Sequence, residues 1–225
     1  MSDQLNRLRM LIGDDKINKL HNATVMVVGC GAVGSFAIEA LARSGIGNMI
    51  LVDFDRVEPS NINRQISALH STIDKPKTLV ARERVADINP DININIFNIF
   101  WDEKTDLAVH PDFVIDAIDS VQSKIALYRW CNKNNIEFIS SMGAARKTDP
   151  TKIKIDKISK TFACPLAAKI RKIVRDEKIP DFPAIFSTEV PSGNIATNKN
   201  FGSIITVTGT FGLLAANYAI AHIIK

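Results

Sequence analysis

The sequence predicts an α/β fold: a mainly parallel β-sheet with helices on both faces, continued by an antiparallel and helical extension toward its C-terminal end. Three observations predict it. Short apolar runs without alternation, such as Val25-Met26-Val27-Val28 and Ile50-Leu51-Val52, suit strands buried on both faces. Strand-like and helix-like stretches alternate up to Gly143, the order that builds parallel sheets. A glycine-rich turn, Gly29-Cys30-Gly31-Ala32-Val33-Gly34, joins the first strand to the helix after it.

At 225 residues the chain is long enough to bury a substantial core as one domain, divided into a lead-in helix (1–21), a core (22–143) and an extension (144–225). Apolar (46%) and charged (23%) contents are those of soluble globular proteins. The net charge of +4 permits an anionic partner without announcing one as a polybasic tail would. Three widely spaced cysteines argue against a disulfide framework and for a reducing, cytoplasmic setting. The start, Met1-Ser2-Asp3-Gln4, lacks a signal pattern, so secretion is not expected.

Residues 5–21 read as an amphipathic helix burying Leu5, Leu8, Leu11 and Ile12. The first strand, glycine turn, helix and second strand follow; the helix carries Val33, Ala37, Ala40, Leu41 and Ser44 along one face. Residues 77–88 form a helix burying Ala81, Val85 and Ile88, with Pro76 near its start. Strands are expected at 91–97, 112–116 and 137–141, with a helix from Val121 carrying Val121, Ile125 and Tyr128 inward. Residues 152–157 alternate like a half-exposed antiparallel strand. Residues 165–178 form a basic amphipathic helix that buries Leu166, Ile170 and Ile173 and exposes Lys169, Arg171, Lys172, Arg175 and Lys178. Residues 179–202, rich in Pro, Ser, Asn and Gly, read as a mobile connection. A long apolar helix, 203–224, closes the chain. Thr206, Thr208, Thr210, Asn217 and His222 make it a core or interface helix, with no stable membrane span expected; peripheral membrane contact is the competing reading.

The glycine turn is where chemistry is expected. Glycines there allow a tight turn, close approach of backbone to a phosphate and close helix packing, and the next helix points its free N–H groups at the turn. Asp53, at the end of the second strand and about twenty residues on, can accept the two hydroxyls of a ribose. Together these make a Rossmann-like nucleotide site of unspecified chemistry.

The next residues narrow it. Asp53-Phe54-Asp55-Arg56-Val57-Glu58-Pro59-Ser60-Asn61-Ile62-Asn63-Arg64-Gln65 resembles the D-x-D-x-V-x-x-S-N-x-x-R-Q signature of the ThiF/MoeB/HesA ubiquitin-activating-like adenylating superfamily. The resemblance implies ATP as the nucleotide and adenylation of a carboxylate. It places Gly29, Gly31 and Gly34 at the phosphates and Asp53 at the ribose. Asn61, Arg64 and Gln65 fall at phosphate contacts, with helix capping the competing reading for Asn61. Lys77 matches the phosphate-binding lysine, with Lys75 its rival; Asp55 is a supporting carboxylate. Asp119, in Asp116-Ala117-Ile118-Asp119-Ser120, matches the aspartate that holds magnesium, with an N-cap role the alternative; Asp116 is read as structural. Asn6-Arg7-Leu8-Arg9-Met10-Leu11-Ile12-Gly13 resembles the N-terminal pattern whose arginine reaches into the partner subunit's ATP site, which implies a homodimer. Arg7 is the candidate and Arg9 the rival; Gln4 stands where the pattern usually has another arginine.

Many relatives carry two C-x-x-C pairs for structural zinc; Cys30, Cys131 and Cys164 cannot form such a site, so zinc is not expected. The second half resembles the branch that dehydrates N6-threonylcarbamoyladenosine at position 37 of tRNA. The matching stretches include Asp149-Pro150-Thr151-Lys152-Ile153, Pro165-Leu166-Ala167-Ala168-Lys169-Ile170-Arg171, Phe186-Ser187-Thr188-Glu189 and Thr210-Phe211-Gly212. Relatives sometimes have a cysteine just before the last helix, where this chain reads Asn198-Lys199-Asn200-Phe201-Gly202. The resemblance implies ATP and magnesium, a modified tRNA and room for a sulfur-relay protein partner; the basic helix 165–178 would touch the tRNA backbone, with a solvated amphipathic face the competing reading. The intramolecular ring closure of that reaction requires no cysteine as an acyl carrier. The competing functions are a zinc-free adenylating enzyme for a ubiquitin-like or peptide C-terminus, and a non-catalytic ATP-binding partner.

Overall fold

The computed structural model describes residues 3–191 and 201–225. Seven strands form one sheet in the order β3-β2-β1-β4-β5-β7-β6. They are β1 (Thr24–Val28), β2 (Asn48–Val52), β3 (Asn93–Phe97), β4 (Phe113–Asp116), β5 (Phe138–Ser141), β6 (Ile153–Lys157) and β7 (Pro183–Ser187). All neighbours pair in parallel except β6 with β7. The helices are α1 (Asn6–Ile12), α2 (Asp14–Asn22), α3 (Gly34–Arg43), α4 (Lys77–Ile88), α5 (Val121–Lys133), α6 (Pro165–Asp176) and α7 (Ile205–Ile223).

Alternate strand residues feed two cores. Val25, Val27, Leu51, Phe113, Ile115 and Ile185 pack under α3 and α7, while Met26, Val28, Val52, Val114, Ala184 and Phe186 pack under α5 and α6. Central strands buried on both faces explain the unbroken apolar runs. Small residues let α7 lie close on α3: a Cβ at Gly212 would overlap the Val33 carbonyl oxygen, and one at Gly209 would crowd the Phe36 ring. Among the described residues no helix is long and apolar enough to cross a membrane.

Three expectations need correction. The lead-in helix is two helices, broken where Gly13 takes a positive φ of 84°. Its buried anchors are Ile17 and Leu20; α1 buries nothing fully and Leu11 is 81% exposed. The stretch 179–202 contains a strand: Phe182-Pro183-Ala184-Ile185-Phe186-Ser187 inserts as β7 between β5 and β6. Proline is tolerated there because it opens the strand. Residues 192–200 lie outside the described residues, the stretch 198–200 before the last helix included. Finally, α6 ends at Asp176, and Lys178 lies beyond it with φ 57°. Its buried face is Ala167, Ile170 and Val174, with Leu166 and Ile173 only half-buried. Arg171 is not a free surface charge, since its guanidinium donates to the Thr161 carbonyl and hydroxyl, both at 2.7 Å.

Candidate active site

The candidate residues gather where β1, β2 and β4 hand over to loops, at the C-terminal edge of the sheet. The three glycines there differ in what demands them. Gly29 has φ 96°, and a Cβ on it would press to 2.7 Å from the Ala117 carbonyl oxygen. A Cβ at Gly34 would overlap the Gly29 carbonyl oxygen. Gly31 is under no such constraint: its added Cβ would meet only Gln65 Nε2, at 3.7 Å. The fold needs Gly29 and Gly34, whereas Gly31 leaves open room beside the start of α3. No side chain caps that helix, so its N-terminus is available to an anion.

Asp53 ties the two loops together. One carboxylate oxygen accepts the Cys30 N–H at 2.6 Å and the other the Asp55 N–H at 2.8 Å. Burial raises its pKa above the usual aspartate range, opposed by these N–H donors and by Lys77. Each oxygen keeps a lone pair for a hydroxyl donor.

The Lys77 ammonium is buried and bonds Asp55 at 2.7 Å, and its backbone N–H donates to the Asp55 carbonyl at 3.0 Å. Lys75 is exposed and turned toward Glu83, 3.8 Å away. Geometry therefore separates the two lysines: only Lys77 points into this cluster.

The segment 58–66 lies against the glycine turn, with the Ile66 N–H donating to Ser35 Oγ at 3.2 Å. Asn61 does act as a local cap, its Oδ1 accepting the Glu58 N–H at 3.1 Å. Arg64 is held by the Ser60 carbonyl at 2.7 Å and Asn63 Oδ1 at 2.9 Å. Gln65 is buried with Oε1 lacking a partner among the described residues. The donor Nε2 of Gln65 faces the room at Gly31 together with the uncapped start of α3, which suits a phosphate, while the orphaned Oε1 can accept only from a donor such as a hydroxyl. The chain returns over this region: Asn63 donates to the Ser203 carbonyl at 3.1 Å, and the Arg146 N–H to the Gly202 carbonyl at 2.8 Å.

Asp119 is exposed beyond β4, and the cap of α5 is Ser120, whose Oγ accepts the Ser123 N–H at 3.5 Å. Its carboxylate is thus spared the capping role. No group of three or more His, Cys, Asp or Glu that could hold a metal occurs among the described residues.

Arg7 is not brought to this cluster. It is exposed on α1, and the preceding Leu5 packs at Gly45, beyond the far end of α3 from the glycine turn. A ten-residue helix spans about 15 Å, which separates the anchor of α1 at Gly45 from the glycine turn. Arg9 is committed locally, bonding Asp14 at 2.7 Å and Asn6 at 2.8 Å. Of the two arginines, Arg7 is the exposed one.

One network was missed in the sequence. Beneath Ile118, whose N–H bonds Asp116 at 3.0 Å, Asp116 receives Lys124 at 2.7 Å, Tyr128 at 3.1 Å and Ser140 at 2.5 Å. The Lys124–Asp116 pair is fully buried. Its signal was there: Lys124 lies three residues after Val121 and four before Tyr128, on the face read as inward. Burial raises the Cys30 and Cys131 thiols, whereas Cys164 caps α6, with Ala167 N–H 3.5 Å from its sulfur.

Residues 3–225 match the sequence profile of the ThiF family. The chain is 46% identical over 197 residues to the tRNA threonylcarbamoyladenosine dehydratase of Bacillus subtilis, covering 85% of this chain and 77% of that protein. It is 39% identical over 233 residues to the enzyme of the same name from Haemophilus influenzae, covering 94% and 89%. Its fold matches the crystal structure of Escherichia coli tRNA N6-threonylcarbamoyladenosine dehydratase in complex with ATP with a TM-score of 0.91, at 35% identity over 99% of this chain and 96% of that one. With the family profile matched over residues 3–225 and the fold in agreement, this chain belongs to the ThiF family.

Proposed function

We propose that the protein is an ATP-dependent tRNA threonylcarbamoyladenosine dehydratase. The observation that carries this reading is likeness to enzymes of that name through the extension as well as the core, one of them solved with ATP. Gly31 and the start of α3 admit the phosphates, Asp53 accepts the ribose hydroxyls, and Lys77, Arg64, Gln65 and Asn61 surround the charge. The threonine carboxylate of N6-threonylcarbamoyladenosine attacks the α-phosphorus and expels pyrophosphate. The ureido group of the same nucleotide then attacks the activated acyl carbon, closing a ring and releasing AMP, so one water is lost from the base. Lys77 and Arg64 offset charge building on the departing pyrophosphate.

Asp119 would hold a magnesium ion, which supplies charge neutralisation at the triphosphate; zinc has no part in this reading. The working unit is a homodimer in which Arg7 of one protomer completes the site of the other. A sulfur-relay protein is a compatible further partner, and the reaction belongs in the cytoplasm, where tRNA is modified.

Pyrophosphate exchange into ATP tests the reading. Exchange that depends on tRNA carrying the modification is the expected result. Exchange driven by a protein C-terminus, or nucleotide binding with no exchange, would replace it with the other adenylating or the non-catalytic function.

A further inference from the structure

The chain's positive charge is concentrated on one side of the molecule. Residues 150–180 carry nine Lys and Arg against three Asp and Glu, whereas the rest of the chain carries nineteen against twenty-one. These residues form β6, the loop 158–164 and α6, at the end of the sheet opposite β3.

Several of these charges are free. Lys154, Lys169 and Lys172 are exposed and form no ion pair among the described residues, and Lys169 and Lys172 share the outer side of α6 at i, i+3 spacing. Lys154 stands opposite Phe186 in the β6–β7 ladder, so both project to the face that α6 covers. Against Phe186, edge to face at 5.5 Å, lies Phe162, which is nevertheless 53% exposed. That exposure is not looseness. Arg171 clamps the preceding Thr161 at 2.7 Å by two hydrogen bonds, and Cys164 caps α6 two residues on. A fixed aromatic face among unpaired lysines is what a single-stranded nucleic acid needs: phosphates for the ammonium groups and a platform for one base.

The place also fits. Strand β7 runs parallel to β5, and Ile153 of β6 pairs with Ser187 at its C-terminal end. The surface therefore begins on the same edge of the sheet as the glycine turn and runs away from it. Lysines on an edge strand also guard against strand pairing between molecules. That role accounts for Lys154, but not for Lys169 and Lys172 on a helix or for an exposed phenylalanine.

We infer that the surface formed by Lys154, Phe162, Lys169 and Lys172 receives the RNA, the lysines on its backbone and Phe162 under an unpaired base. This rests on the reading of the substrate as tRNA. The test uses the full chain and a fluorescein-labelled tRNA transcript, with binding followed by anisotropy at several salt concentrations. Lys169→Glu/Lys172→Glu should weaken binding at least tenfold and reduce the salt slope by roughly 0.7–0.9 for each phosphate that is no longer neutralised. Phe162→Ala should weaken binding about fivefold with the slope unchanged, and Phe162→Tyr should restore it. A control pair on α2, Lys16→Glu/Lys19→Glu, should bind as the wild type does. ATP titration of every variant reports an intact fold. Wild-type affinity in the α6 and Phe162 variants, with the parent protein binding tRNA, overturns the inference alone. Failure of the parent to bind any tRNA overturns the proposed function with it.

Discussion

The ammonium of Lys77 and the carboxylate of Asp55 meet at 2.7 Å, with 7% of the lysine side chain exposed and 45% of the aspartate. The buried partner is the cation, held in place by the more accessible anion. This arrangement keeps a positive charge aimed at the glycine turn before any polyphosphate arrives, so no side chain must be ordered at the moment of reaction.

Removing that cation should cost far more than removing its support. Lys77→Ala is expected to lower kcat about 10²–10³-fold, the scale seen when a preorganised charge-stabilising donor is lost. Asp55→Asn should cause a smaller loss, concentrated in the KM for ATP, and Lys75→Ala should change little. Pyrophosphate-exchange kinetics on the three variants decide this. Equal effects at Lys75 and Lys77 would remove Lys77 from its assigned role.

The glycines should separate into two classes. Gly34→Ala places a methyl group into the Gly29 carbonyl and should prevent stable folding, whereas Gly31→Ala finds only the Gln65 amide at 3.7 Å and should melt close to the parent. The second variant should nonetheless lose ATP affinity, because its methyl group occupies the room left for phosphate. A thermal melt paired with an ATP titration distinguishes them. Normal ATP binding by Gly31→Ala would place the phosphates elsewhere.

Lys124 and Asp116 are both fully buried. Lys124→Met leaves a carboxylate without its counter-charge and should destabilise the fold by about 3–5 kcal/mol. For a chain of this size that corresponds to roughly 6–20 °C in Tm. Adding Asp116→Asn to Lys124→Met should recover part of the loss by removing the stranded charge, which denaturant titration would detect. A double variant weaker than the sum of the singles would contradict this account.

Nucleotide affinity should fall on acidification with a midpoint above the ordinary aspartate range, because burial raises the Asp53 pKa. Only the ionised form can accept hydroxyls on both oxygens while bonding two N–H groups. The sign for stability is opposite. A raised folded pKa means that ionised Asp53 costs the fold some stability, a cost relieved as pH falls through that pKa. Asp53→Asn should flatten the acid limb of ATP binding measured by calorimetry. An unchanged acid limb in that variant would assign it to another group.

Much of the fold and site was legible because the informative residues obey local rules. The helix over 77–88 appears with those bounds, and Asp53 follows directly on the second strand as its spacing implied. What was hidden depends on distant partners. Pro183 and the polar stretch after Ser187 made β7 look like a connection, since nothing local reveals that β5 and β6 supply its neighbours. Lys124 drew no reading of its own, because its burial is only tolerable with Asp116, eight residues earlier, in place. The break at Gly13 was readable in principle, since glycine takes the positive φ found there without steric cost.

The position of β7 also sets an order of events. The chain makes β6 before β7, yet β6 touches the sheet only through β7. At ordinary synthesis speeds of roughly 5–20 residues per second, β6 waits on the order of seconds for the strand that will hold it. During that interval β5, with its buried Phe138, Ile139, Ser140 and Ser141, is the bare margin of a growing sheet. A chain halted between 157 and 183 would carry β5 paired on β4 with its other edge open, and a detached lysine-bearing strand, both templates for pairing with another nascent copy. The stretch from β6 to β7 is therefore a window in which this protein is open to misassembly during its own synthesis.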